Sequence, residues 1–157
     1  MEDKIYSEYC AILAEELQPA MGCTEPIAVA YCAALARKTL GCLPEDVQVY
    51  ASANIIKNVK SVVVPNTSGQ RGLTVAAAAG IVAGDADAKL QVLAGITPEQ
   101  VEQIADYEKR GIVHVHPSEK DYIFDIQVRV NAAGHTAFAE IAGFHTNVIR
   151  LEQDGAV

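Results

Sequence analysis

After Gly111 the spacing of apolar residues changes, and that change limits the fold more than any other feature of the chain. Upstream, residues 3–17, 26–40, 73–82 and 97–110 carry the apolar spacing and the end signals of helices. Downstream, residues 112–116, 122–130, 136–141 and 147–151 are β-branched, aromatic or alternating, as strands are. Turn residues at 117–121, 131–134 and Gly143 separate them. Helices gathered first and strands gathered last predict an α+β fold. The short connections favour an antiparallel β-meander packed on helices.

The N-terminal helices flank an elbow, Met21-Gly22-Cys23-Thr24-Glu25-Pro26. Pro19 stops the first helix, Pro26 suits the first turn of the second, and Gly41 closes it. A mixed central segment follows. Residues 47–51 alternate as a short strand, 54–59 suit either a helical turn or extended chain, and 61–64 read as a buried strand. Residues 65–72 form a loop before the Ala-rich helix at 73–82. Asp85 or Asp87 caps a short helix through Leu93, and Thr97-Pro98-Glu99-Gln100 opens another. With 157 residues the whole of 1–157 fits a single α+β domain.

Twelve basic against twenty acidic side chains give a net charge of −8, and no basic tract offsets it. Nucleic acid and anionic membranes are therefore excluded as partners. The longest apolar runs, 27–35 and 75–82, are too short to cross a bilayer, and Met1-Glu2-Asp3-Lys4 does not open a signal peptide. Cys10, Cys23, Cys32 and Cys42 all fall in the first third, with no CxxC pair. That pattern argues against a zinc site or disulfide framework within the chain and points to the reducing cytoplasm.

Three clusters carry chemistry. Cys23 or Thr24 caps a helix whose positive end favours a thiolate, while the adjacent Glu25 opposes one. The alternative is a small buried cysteine in a tight turn. In Asn66-Thr67-Ser68-Gly69-Gln70-Arg71-Gly72, hydroxyls, backbone N–H groups and a fixed positive charge suit a carboxylate or phosphate. A Gly-rich turn with Arg71 in a surface ion pair explains the same residues. Lastly, Gly134-His135-Thr136 and Phe144-His145-Thr146-Asn147 repeat a His-Thr pair ten residues apart, as titrating or structural histidines. His114 and His116 are read as solvated strand residues.

Taken in order, the Gly22-Cys23-Thr24-Glu25-Pro26 elbow with its Ala-rich helix, the region from Lys57-Asn58-Val59 to Arg71-Gly72, and the two His-Thr pairs resemble the N-terminal part of the L-cysteine desulfidase family. That family is related to the α-subunit of iron–sulfur L-serine dehydratases, and the resemblance covers nearly the whole chain. It implies a [4Fe–4S]-dependent lyase that releases pyruvate and ammonia from L-cysteine, with sulfide, or from L-serine. It also implies that Cys23 is an active-site base or a cluster ligand. On this reading Thr24, Glu25, Ser68, Gly69 and Arg71 bind substrate, with Ser68, Gly69 and Arg71 on its carboxylate. His145 is catalytic, and Asn147 contacts substrate beside it. The family's other cluster cysteines lie in a later, mostly helical portion, whereas the last cysteine here is Cys42. A cubane normally takes at least three protein thiolates. The expectation is therefore a fragment, inactive alone, whose cluster ligands come from a missing C-terminal part or a second subunit. Self-association into a homo-oligomer is left open. The alternative function is a non-catalytic amino-acid-binding or regulatory module.

Overall fold

In a computed structural model, residues 24–60, 62–118, 125–142 and 148–155 are described, with the backbone alone at Thr24 and Leu90. The helix expected at 3–17 lies outside them. Thr24–Leu40 (α1) is buried nearly all round, since Ile27 to Ala34 present small or apolar side chains on every face. It is followed by Asp46–Ala51 (β1), Ala53–Val59 (α2) and Leu73–Ala83 (α3). Next come a 3-10 helix at Ala86–Gln91 and Pro98–Lys109 (α4). The strands Val113–Pro117 (β2), Asp125–Ala132 (β3), His135–Ala142 (β4) and Val148–Gln153 (β5) complete the order.

These form one α+β layer pair: a five-stranded sheet in the order β2-β1-β3-β4-β5, covered on one face by α1 and α3, with α4 outside α3. The inward positions alternate as period-two patterning requires, with Val47, Val49, Ala51, Ile126, Val128 and Val130 buried against the helices. The opposite face carries Gln48, Tyr50, His114, His116, Gln127, Arg129 and Asn131.

Strands β3, β4 and β5 form the expected antiparallel meander. Strand β2 does not join it. It pairs parallel to β1, with Val49 opposite Val115, because the helices between β1 and β2 return the chain in the same direction. The buried strand expected at 61–64 is also absent among the described residues. Val63 makes a single bridge to Arg71 and is exposed, because Val64 N–H turns back onto the Gln70 carbonyl and uses the segment as a loop stem. Residues 54–59 resolve as helix, burying Ile55 and Val59 at i and i+4. The segment after Asp85 is a 3-10 helix, with Asp85 accepting from Asp87 N–H as its cap. Helix α4 starts with the reciprocal Thr97–Gln100 capping box.

His116 departs from its solvated reading: its Nε2 lies 2.6 Å from Gln48 Oε1, and its ring stacks on Tyr50 at 4.9 Å. No helix among the described residues is long and apolar enough to cross a membrane.

Candidate functional site

Two close contacts fix how α1 and α3 lie. A Cβ placed on Gly80 would stand 2.0 Å from the Ala30 carbonyl oxygen, and one on Gly84 would stand 3.0 Å from Ala34 Cβ. Partners advance together, from 30 to 34 and from 80 to 84, so the helices run parallel and begin at the same end. The sheet shares that end. Gln153, paired with Ala137, reaches the Thr39 carbonyl, while the Cys32 thiol donates to the Ala139 carbonyl at 3.3 Å. Strand β4 therefore runs opposite to α1, and its last residue, Ala142, lies level with the start of α1. Ser52 N–H donates to the Asp125 carbonyl and Ser118 N–H to the Ala51 carbonyl, so the ends of β1 and β2 and the start of β3 lie there too.

One pole of the molecule thus gathers the N-termini of α1 and α3, the stem Arg71–Gly72, helix α2, the ends of β1, β2 and β4 and the start of β3. Asn58 Nδ2 reaches Glu25 Oε2 at 3.5 Å, tying α2 to the first turn of α1. Gly72 precedes α3 at φ 100° and ψ 172°, a backbone region open essentially to glycine, and offers no side-chain cap. Gly72 thus gives the first N–H groups of α3 no side-chain acceptor, a setting that suits an anion, while Thr74 in that first turn donates to Glu108 Oε2 at 2.9 Å.

The expected site residues divide. Glu25 and Arg71 are placed at this pole. Thr24 starts α1 there, with its backbone alone described. Ser68 and Gly69 sit instead at the loop tip. Asn66 Nδ2 donates to the Leu93 carbonyl at 2.9 Å and Gln70 Nε2 to the Val101 carbonyl at 3.2 Å, which ties that tip to the segment after α3 and to α4. Thr67 is buried and donates to the Val64 carbonyl, so half of the polar loop serves to hold its shape. Cys23, His145 and Asn147 lie outside the described residues; Cys23 is next in sequence to Thr24, and the chain is described up to Ala142 and again from Val148, both at this pole. His135 is placed at the opposite pole, where its Nδ1 lies 3.2 Å from Asp154 Oδ2 in an exposed contact. The backbone N–H of Thr136, and then His135, hold the Asp154 carboxyl below the usual carboxylate range.

The described residues do not fit a [4Fe–4S] cluster. Cys32 is core: its thiol faces the Ile126 and Ala139 carbonyls, and burial, then Asp125 and Glu140, push its pKa up, away from the thiolate a metal needs. Cys42 is exposed beyond Leu40, the last residue of α1, which lies about 24 Å from Thr24 at the helical rise. Among the described residues no three His, Cys, Asp or Glu side chains group as a metal site. Iodoacetamide is expected to modify Cys42 and spare Cys32 in the folded chain. Peptide mass mapping that finds both modified at one rate would contradict this packing.

The sequence reading missed Asp125, Ser118 and Gln127, which cluster at the same pole. Alternation with Ile126 and Val128 placed Asp125 on the outward face, where an acidic residue is expected to be solvated. It is fully buried.

No protein-family model matches the chain. It is 44% identical over 156 residues to a UPF0597 protein of Desulfitobacterium hafniense, covering 99% of this chain and 36% of that protein. To a UPF0597 protein of Treponema denticola it is 40% identical over 152 residues, covering 97% and 35%. A UPF0597 protein of Shewanella putrefaciens is 44% identical over 151 residues, at 96% and 35%. These names state no activity. The chain is similar to UPF0597 proteins over nearly its whole length and spans about a third of theirs, 36% and 35% in the cases given.

Proposed function

We propose that this chain is the amino-acid-binding domain, residues 1–157, of a cytoplasmic iron–sulfur lyase. The complete enzyme would convert L-cysteine to pyruvate, ammonia and sulfide, or L-serine to pyruvate and ammonia. One observation carries the reading: the parallel register of α1 and α3, which brings two helix N-termini and Arg71 to one pole. Helix N-termini and a guanidinium are complementary to a carboxylate, and together they orient the substrate by that group. Cys23, next to the start of α1, is assigned as base or cluster ligand. The helix dipole favours its thiolate, and Glu25 beside it acts against. Further cluster thiolates come from the rest of a longer chain or from a second subunit, so no bond-breaking step is assigned to the residues here. The placement of Cys32 and Cys42 favours a second reading in their absence, a binding or regulatory module that holds an amino acid without transforming it.

Calorimetry with L-serine and L-cysteine tests the carboxylate site. Both are expected to bind, and Arg71→Ala is expected to weaken binding about 10- to 100-fold, the value of a charge-assisted hydrogen bond. Arg110→Ala, on a residue beyond the far end of α4, should leave binding unchanged. Absence of binding, or equal affinity in Arg71→Ala, would sink the reading. An anaerobic pyruvate assay is expected to be blank for the chain alone. Turnover there would overturn both the external cluster ligands and the module.

A further inference from the structure

Asp125 opens β3 at the site pole and is fully buried, yet only half of its carboxylate is satisfied. Oδ2 accepts from Ser118 Oγ at 2.7 Å and from Gln127 Nε2 at 2.9 Å. Among the described residues Oδ1 is buried with no hydrogen-bond partner, and no other side-chain atom is left this way. A buried charged acceptor without a partner is unfavourable, so something is expected to occupy that position.

Among the described residues, the two arginines on the same sheet face have other contacts. Arg129 is four residues along β3, about 13 Å at the strand rise, and stacks on Phe138 at 4.8 Å. Arg150 lies over the same ring at 5.8 Å and bonds Glu152. Glu140, also buried, is the cross-strand partner of Gln127 and adds negative charge nearby. Both carboxylates are felt inside the core, where they help push up the Cys32 thiol.

We propose that Asp125 Oδ1 is a ligand of a small monovalent-cation site, for an ammonium group or an alkali-metal ion. Two serines are held close to this carboxylate: Ser118 Oγ donates to Oδ2, and Ser52 N–H donates to the Asp125 backbone carbonyl. A single charge fits better than a divalent ion, which asks for several carboxylates, and no such group of ligands occurs among the described residues. A free ammonium ion and the ammonium group of an amino acid share this chemistry. The site stands without the carboxylate reading above.

The 157-residue chain is unfolded thermally in choline chloride and then in ammonium or potassium chloride at constant ionic strength. Parallel arms add L-serine or N-acetyl-L-serine, which lacks the ammonium. A saturable rise of about 3–6 °C at ten times Kd is expected, and it should vanish in Asp125→Asn, which keeps the side-chain shape. A response to free ions identifies a free cation; a response to L-serine alone identifies the amino acid's own ammonium. Either supports the site. The proposal is overturned if neither stabilises the chain, or if Asp125→Asn responds as the native chain does. Should that variant not fold, thallium-205 resonance on the native chain, with ammonium and L-serine as competitors, decides instead. A bound signal that either displaces supports the site, and its absence overturns it. Equal L-serine affinity in Arg71→Ala and the native chain, with the ion response intact, would sink only the carboxylate reading.

Discussion

Gly80→Ala is expected to destabilise the chain by about 3 kcal/mol, although the same exchange in an open helix gains about 1 kcal/mol. The sign reverses because the new methyl would sit 2.0 Å from the Ala30 carbonyl oxygen, 2.7 Å from its carbon and 2.8 Å from its Cα. All three are backbone atoms of a buried helix, so no side chain can swing aside. Relief requires α1 and α3 to move apart, which opens voids along Ala76 to Ala79 and Ala28 to Ala34. Gly95→Ala is the control: nothing lies within 4 Å of its Cβ position, and the change should stay within about 0.5 kcal/mol. Urea unfolding measures both. Because the same contact sets the two helix starts side by side, Gly80→Ala should also weaken amino-acid binding under conditions where it remains folded. Equal stability of the two variants would remove the basis for the parallel register.

Tyr107→Ala is expected to cost about 3–5 kcal/mol, and Tyr107→Phe about 1–2 kcal/mol. The Tyr107 ring is buried on α4 with the Arg110 guanidinium 5.3 Å from its centre, and its hydroxyl donates to the Pro44 carbonyl at 2.7 Å. This side chain pins α4 to the turn between α1 and β1, so the alanine loses both packing and bond, while the phenylalanine loses only the bond. Burial raises the phenol from its ordinary 10.0 to about 12, with Arg110 and Arg37 acting in the opposite direction. A raised pKa means that the folded state holds the proton more tightly than the unfolded state. The associated stability is fully present below pH 10 and is lost as pH rises from 10 to about 12, by roughly 2 kcal/mol. Burial also raises Tyr31, so the difference between native chain and Tyr107→Phe isolates the contribution. Parallel pH profiles for the two, by denaturant titration, would contradict the buried-phenol assignment.

The elements that were legible in the sequence are those whose signals are local. Thr97-Pro98-Glu99-Gln100 specifies a helix start because cap, proline and Gln100 act within four residues, and the structure has that capping box. The strands around Gly134 pair because a tight turn leaves them adjacent. Strand β2 was misplaced because its partner lies some sixty residues upstream; apolar period specifies a strand but not its neighbour. Val62 to Val64 shows the same limit. A β-branched run is compatible with a ladder, yet the Val64–Gln70 hydrogen bond closes the chain on itself before a ladder can extend.

For the candidate site, the residue types were legible, but not that Asn66 and Gln70 fasten the tip carrying Ser68 and Gly69 to the Leu93 and Val101 carbonyls. Asp125 gave no signal at all, because burial of an outward-facing strand residue depends on what covers it. The sequence by itself determined the α+β class and the helix caps at Asp85 and Thr97, since these follow from period and local hydrogen bonding. Only the tertiary structure decided that α1 and α3 start together, that β2 flanks β1, and that Asp125 is buried. Each of these rests on contacts between residues tens of positions apart: a glycine facing a carbonyl on another helix, or one strand edge meeting another.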